Sequence, residues 1–189
     1  MRLLLATRND HKRREFARLL APIEVDALPD EVELPPETAA TFSATALEKA
    51  RAAAAATGRA TIADDSGIEA AALDGAPGVR SARYAGPDAG DDENLAKLLR
   101  EAPAGSGLAY VCAIAYVDPG AGTERVLEER CTGTLAPTPR GDDGFGYDPA
   151  FLPDDVRDGR TMAELAPGEK DAISHRGRAA RALAATLGG

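Results

Sequence analysis

The sequence predicts an α/β protein, and three observations point there. A short apolar run at the N-terminus passes through a polar turn into an amphipathic helix; an alanine-rich helix lies between two strand-like segments; and two long, partly alternating segments flank a Pro-Gly turn. A chain of 189 residues suits one domain, which on folding buries about 70% of its extended surface. With 44% hydrophobic and 28% charged residues it has enough apolar surface to form a core and is not a disordered polymer.

Taken in order, Leu3 to Ala6 are apolar without alternation, as in a strand covered on both faces. Thr7, Arg8, Asn9 and Asp10 end it. Asp10 is placed to cap a helix that carries Phe16, Leu19 and Leu20 at helical spacing and stops at Pro22. Such a turn directs backbone amides at whatever lies above the sheet, and Lys12 adds charge in the first helical turn. By itself this reads either as a plain cap or as a phosphate cradle without glycines. Ile23 to Leu28 suit a short edge strand, and Pro29 to Thr38, with three prolines and four acidic residues, a surface loop. Glu37 precedes the helix Thr41 to Thr57, which Gly58 closes. A carboxylate there is favoured by the helix dipole, or it is a metal ligand.

The stretch Thr61 to Gly86, TIADDSGIEAAALDGAPGVRSARYAG, concentrates the unusual chemistry. Thr61, Ile62 and Ala63 suit an extended segment that is expected to end at Asp64, Asp65, Ser66 and Gly67. Alternation sends the two carboxylates to opposite faces. Adjacent ionised carboxylates are costly unless a cation or donors lie close, so the pair suggests a divalent metal, a proton-accepting base, or both. Arg80 and Arg83 are expected to bring positive charge to the same neighbourhood. The alternative is a turn in which Asp64 and Ser66 cap amides and Asp65 pairs with an arginine.

Asp91 is placed to cap a helix to Ala102, and Leu108 to Val117 with Thr123 to Leu135 form a long hairpin about Asp118 to Gly122, expected as a second lobe. Pro137 to Pro153 contain RGDDGFGYDPAF, where Gly141, Gly144 and Gly146 surround Phe145 and Tyr147 in a chain with only four Phe and four Tyr. That suits either a platform for a flat base or a plug beneath a turn. A helix from about Asp171 to Leu187 follows, with Lys170, His175 and Arg176 near its start.

The formal net charge of −9 disfavours nucleic acid and anionic membranes as partners, so a phosphorylated ligand has to be captured by a local cation cluster and is a small molecule rather than a polymer. Cys112 and Cys131 lack a CxxC partner and are read as reduced core residues of a cytoplasmic protein. The N-terminal apolar run is too short for a signal peptide, and no run reaches membrane-spanning length.

Together ATRNDHK, ETAATF, ADDSG, LDGAPGVRSARYAG, GFGYDPAF and TMAELAPGEKDAISHRGRA resemble, in order and over nearly the whole chain, the signature blocks of the non-canonical purine nucleoside triphosphate pyrophosphatase family, also called inosine triphosphatase or Ham1-like. The resemblance implies an elongated mixed central β-sheet flanked by helices in one domain over residues 1–189, two lobes with a nucleotide cleft between them, and a homodimer. It implies Mg2+-assisted hydrolysis of deoxyinosine, inosine and xanthosine triphosphates to the monophosphate and pyrophosphate. Carried onto matching positions, Thr7, Arg8, Asn9, Asp10, His11 and Lys12 bind the triphosphate, Lys12 assists catalysis, Glu37 and Asp65 hold the metal, Asp65 accepts the proton of water, and Ser66 touches substrate. Phe145, Gly146, Tyr147 and Asp148 hold the base, with Lys170, His175 and Arg176 completing the pocket. Arg8, His11 and Thr45 depart from the family pattern. The FGYD and SHR segments argue against a pyrophosphatase of the Maf type.

Overall fold

The computed structural model describes residues 1–188. Six strands form one mixed sheet: β1 (Arg2–Leu5), β2 (Glu24–Ala27), β3 (Thr61–Ala70), β4 (Gly107–Asp118), β5 (Thr123–Leu135) and β6 (Phe151–Pro153), in the order β2-β1-β3-β4-β5-β6. The inner strand β1 runs parallel to both neighbours, with Leu4 opposite Asp26 on one side and Thr61 on the other. Leu3, Leu4 and Leu5 are fully buried, as their unbroken apolar run requires. At the far edge β6 pairs antiparallel with β5. The helices are α1 (Asp10–Leu19), α2 (Phe42–Thr57), α3 (Asp91–Glu101), α4 (Pro167–Ile173) and α5 (His175–Leu187). Among the described residues no helix is long and apolar enough to cross a membrane.

The chain divides into two compact units, one made of 1–65, 112–129 and 176–189 and the other of 66–111 and 130–175. In the first, Phe16 and Leu20 of α1 and its end, together with Ala179, Ala180 and Leu183 of α5, pack with Leu3, Leu5, Ile62, Cys112 and Ile114. In the second, Ile68, Leu95, Leu98, Leu108, Tyr110, Leu135, Phe151 and Met162 form a separate core. Cys112 and Cys131 are buried thiols, one in each core. Burial drives the Cys112 thiol far above its ordinary pKa, so it stays protonated and inert.

Four local expectations change. The cap of α1 is Asn9, whose side chain accepts from the amides of His11 and Lys12, while Asp10 begins the helix and pairs with Arg13 one turn on. Strand β3 does not stop at Asp64; it runs on to Ala70, because its flanking strands keep the ladder supplied and nearby cations balance its carboxylates. The C-terminal helix is two helices broken at Ser174. The β4–β5 hairpin supplies two strands to the sheet, and residues 107–111 and 130–135 belong to the second unit while 112–129 belong to the first.

Strand β6 lies close against β5 at Gly133. A Cβ on Gly133 would sit 2.2 Å from the Leu152 carbonyl oxygen and 2.9 Å from the Phe151 ring, both held in the β5–β6 ladder. Gly133→Ala is therefore expected to lower stability by about 3 kcal/mol through overpacking, read as a fall in the urea midpoint with no change in its slope.

Candidate active site

The two adjacent carboxylates of β3 face opposite ways, as strand geometry demands, and their nearest cations differ. Asp64 is fully buried, and its Oδ2 lies 2.7 Å from Lys12 Nζ and 3.8 Å from Arg176 Nε. Burial alone would raise its pKa, but Lys12, Arg176 and Lys49 outweigh burial and hold it below the ordinary value. It stays ionised. Asp65 lies 3.9 Å from the ammonium of Lys49, and that ammonium also donates to Glu37 Oε1 at 2.9 Å. Burial pushes Asp65 up to about 6; Lys49 and Lys12 oppose this, while Glu37 and Asp64 add to it. A carboxylate in that range is a competent base near neutral pH. Lys49 remains charged, since its three acidic neighbours more than offset its own burial.

The scaffold explains how these groups meet. Helix α2 buries Phe42, Thr45, Ala46, Lys49, Ala50, Ala53 and Ala54, a stripe at helical spacing in which Lys49 takes an apolar position. The side chain of Thr41 caps the helix by accepting the Ala44 amide, and the Thr45 hydroxyl donates to the Thr41 carbonyl. Thr45 is thus satisfied inside its own helix. The Arg8 guanidinium donates to the carbonyls of Leu28, Pro29, Asp30 and Val32 and clamps the loop that leads to Glu37. Thr7 Oγ1 accepts from the Asn9 amide, and His11 Nδ1 lies 3.2 Å from an Arg14 nitrogen. The amides of His11 and Lys12, expected to face a ligand, are held by Asn9. Arg176 is buried, with Nη1 donating to Glu15 at 3.1 Å and Nε toward Asp64. Thr7 to Lys12, Glu37, Asp65 and Arg176 all belong to the first unit.

The second unit gathers the remaining predicted residues: Ser66, half-buried in β3, then Phe145 to Asp148, Lys170 and His175. Asp148 is its hub. Its Oδ1 accepts from the Tyr110 hydroxyl at 2.9 Å, and its Oδ2 from Lys170 Nζ at 2.7 Å and from the Phe145 amide at 3.1 Å. Gly144, at φ 82°, passes so close that a Cβ would lie 2.2 Å from Asp148 Oδ2, which excludes any side chain there. The two aromatics of the loop divide their tasks. Tyr147 is buried, its hydroxyl bonded to the Ser81 carbonyl at 2.7 Å. Phe145 is half-exposed beside the Lys170 ammonium, which lies 5.2 Å from its ring centre. The Gly146 amide is taken by Asp91 at the start of α3. Arg80 and Arg83 lie in a 3-10 turn of this unit, so the cations on Asp64 and Asp65 are instead Lys12, Lys49 and Arg176.

The model of the Ham1 family matches residues 3–186. This chain belongs to the Ham1 family. It is 50% identical to a dITP/XTP pyrophosphatase of Frankia alni over 99% of this chain and 97% of that one, and 50% identical to a dITP/XTP pyrophosphatase of Geobacillus kaustophilus over 94% and 89%. Among solved structures it is similar to a HAM1 protein from Coxiella burnetii, with a TM-score of 0.87 and 39% identity over 99% of this chain and 98% of that one. The Ham1 protein of Staphylococcus aureus gives a TM-score of 0.87 at 34% identity, covering 100% and 99% of the two chains.

Sequence reasoning missed Lys49, Glu15 and Tyr110. Lys49 had a legible signal, a lysine on the alanine stripe of an amphipathic helix. Glu15 and Tyr110 had none, for their roles come from partners far along the chain.

Glu37 and Asp65 already share one cation, Lys49, and a pair of carboxylates on one cation is a donor set that also suits a divalent ion. Among the described residues no group of three or more His, Cys, Asp or Glu gathers for a metal. Lys49→Met leaves this acidic cluster without its shared cation. We expect a loss of about 2–3 kcal/mol in unfolding free energy, with added Mg2+ raising the melting temperature of the variant more than that of the parent.

Proposed function

We propose that the chain hydrolyses deoxyinosine, inosine and xanthosine triphosphates to the monophosphate and pyrophosphate, with Mg2+ as the assisting ion and residues 1–189 acting as one catalytic domain. The observation that carries this reading is the Glu37–Lys49–Asp65 cluster beside the Lys12–Asp64 pair, in a Ham1 chain whose full-length relatives are named for this reaction. We further propose a cytoplasmic homodimer that engages neither nucleic acid nor membrane, in keeping with the net charge of −9.

In this reading Glu37 and Asp65 hold the ion, whose chemistry is to neutralise phosphate charge and polarise the phosphorus under attack. Thr7, Arg8, Asn9, Asp10, His11 and Lys12 bind the triphosphate. Lys12 meets charge that grows on the leaving group, with Asp64 fixing its ammonium. Asp65 accepts a proton from water as the water oxygen bonds to the α-phosphorus. The bond from that phosphorus to the bridging oxygen breaks, and its electron pair leaves with pyrophosphate. Ser66, next in the strand, contacts the substrate. Phe145 offers its ring to the purine, Gly146 and Tyr147 shape the loop, and Asp148, Lys170 and His175 supply polar edges. Arg176, pinned between Glu15 and Asp64, presents a preset guanidinium to the 6-oxo group that inosine and xanthosine carry and adenosine lacks.

The reading is tested by pyrophosphate release across inosine, xanthosine, guanosine, adenosine and pyrimidine triphosphates. Release from the first two that is abolished by chelating Mg2+ supports it, and no release from either overturns it. Asp65→Asn is expected to lower kcat by ~100- to 10,000-fold with KM little changed; a kcat within threefold of the parent removes Asp65 as the base. Arg176→Ala should shrink the ratio of kcat/KM for inosine over adenosine triphosphate by about tenfold, and an unchanged ratio contradicts its role in choosing the base.

A further inference from the structure

Tyr110 lies within β4, is buried, and belongs to no motif that the sequence marks out. A tyrosine in a sheet core needs no function if it only packs, but this one makes three directed contacts. Its hydroxyl donates to Asp148 Oδ1 at 2.9 Å. Its ring lies parallel to the His175 imidazole, with centroids 4.6 Å apart and an interplanar angle of 5°. The same ring leans on Phe151, at 4.7 Å and 41°.

The hydroxyl settles how Asp148 is used. A carboxylate has two oxygens, and here they are differentiated: Oδ1 faces Tyr110, while Oδ2 receives Lys170 and the Phe145 amide. With Oδ1 anchored to a strand, the carboxylate plane cannot turn, so Lys170 and the backbone under the Phe145 ring hold one arrangement. The parallel stack does the same for His175, the first residue of α5, which is 2% exposed. One strand residue therefore braces two groups that reach the second unit from separate segments. A β-strand is a rigid support for such a brace, more so than the glycine-rich loop that carries Asp148.

We propose that Tyr110 is a positioning residue for purine recognition, which orients Asp148 through its hydroxyl and His175 through its ring. The inference rests on the assignment of Asp148 and His175 to the base. It adds a specificity element carried by strand β4.

Tyr110→Phe keeps the ring, the stack and the contact with Phe151, and deletes only the hydroxyl. It is expected to weaken inhibition by inosine monophosphate and to raise the KM for inosine triphosphate, each by about tenfold, the size of one hydrogen bond. kcat should stay within about twofold, and inhibition by pyrophosphate, the product without a base, should not move. Asp148→Asn probes the same bond from its other end, and in that background Tyr110→Phe should have no further effect. If Asp148→Asn weakens the monophosphate and Tyr110→Phe does not, the inference fails while the base assignment stands. If Asp148→Asn itself leaves monophosphate inhibition unchanged, the base assignment fails and takes the inference with it. If Tyr110→Phe weakens monophosphate and pyrophosphate alike, Tyr110 is a structural support only and the inference is overturned.

Discussion

Two adjacent carboxylates inside a buried strand are the constraint around which the first unit is built. A strand can hold Asp64 and Asp65 only if each face supplies compensating charge, because an uncompensated buried carboxylate would protonate or unfold the segment. One face supplies Lys12 and Arg176, the other Lys49. The outcomes differ in kind. Asp64 is over-compensated and stays a fixed anion that orients cations, whereas Asp65 is under-compensated and sits at about 6, where it can take a proton. Two residues with the same chemistry thus acquire opposite pKa shifts through their surroundings alone.

The same logic explains why so many conspicuous polar groups are held by the protein itself. Asn9 occupies the first amides of α1, Arg8 is spent on loop carbonyls, Asp91 takes the Gly146 amide, and Tyr147 is bonded to Ser81. A site that must meet a highly charged triphosphate needs its groups arranged before the ligand arrives, since reorganisation during the reaction would raise the barrier. In the second unit Asp148 has this arranging role. Three donors meet on its carboxylate, and Gly144 lets the loop approach it.

Much of the fold was legible in the chain. The apolar run of β1, the edge position of β2, the alanine-rich helix and the long β4–β5 hairpin follow from periodicity and turn chemistry, which act within a window of a few residues. Where the reading of local structure failed, a longer-range force had won. Asp64 to Gly67 look like a turn because short polar residues favour turns, yet neighbouring strands and three cations keep them extended. Asp10 is as good a cap as Asn9 by type, and only the path of the chain into α1 selected between them. The glycine-rich loop offered two aromatics as equals; the fold buried Tyr147 and left Phe145 half-exposed.

By itself the sequence determined the class of fold, the family, and the residue types that a metal-assisted phosphate chemistry requires, because these are written in composition, local spacing and ordered motifs. Only the tertiary structure decided which charges meet. Lys49 lies beside Glu37 and Asp65, Glu15 holds Arg176 across 161 residues of chain, and Tyr110 reaches Asp148 across 38. The physical reason is that an ion pair or a hydrogen bond depends on distance in space, and separation along a sequence carries no information about that distance until strands and helices have packed.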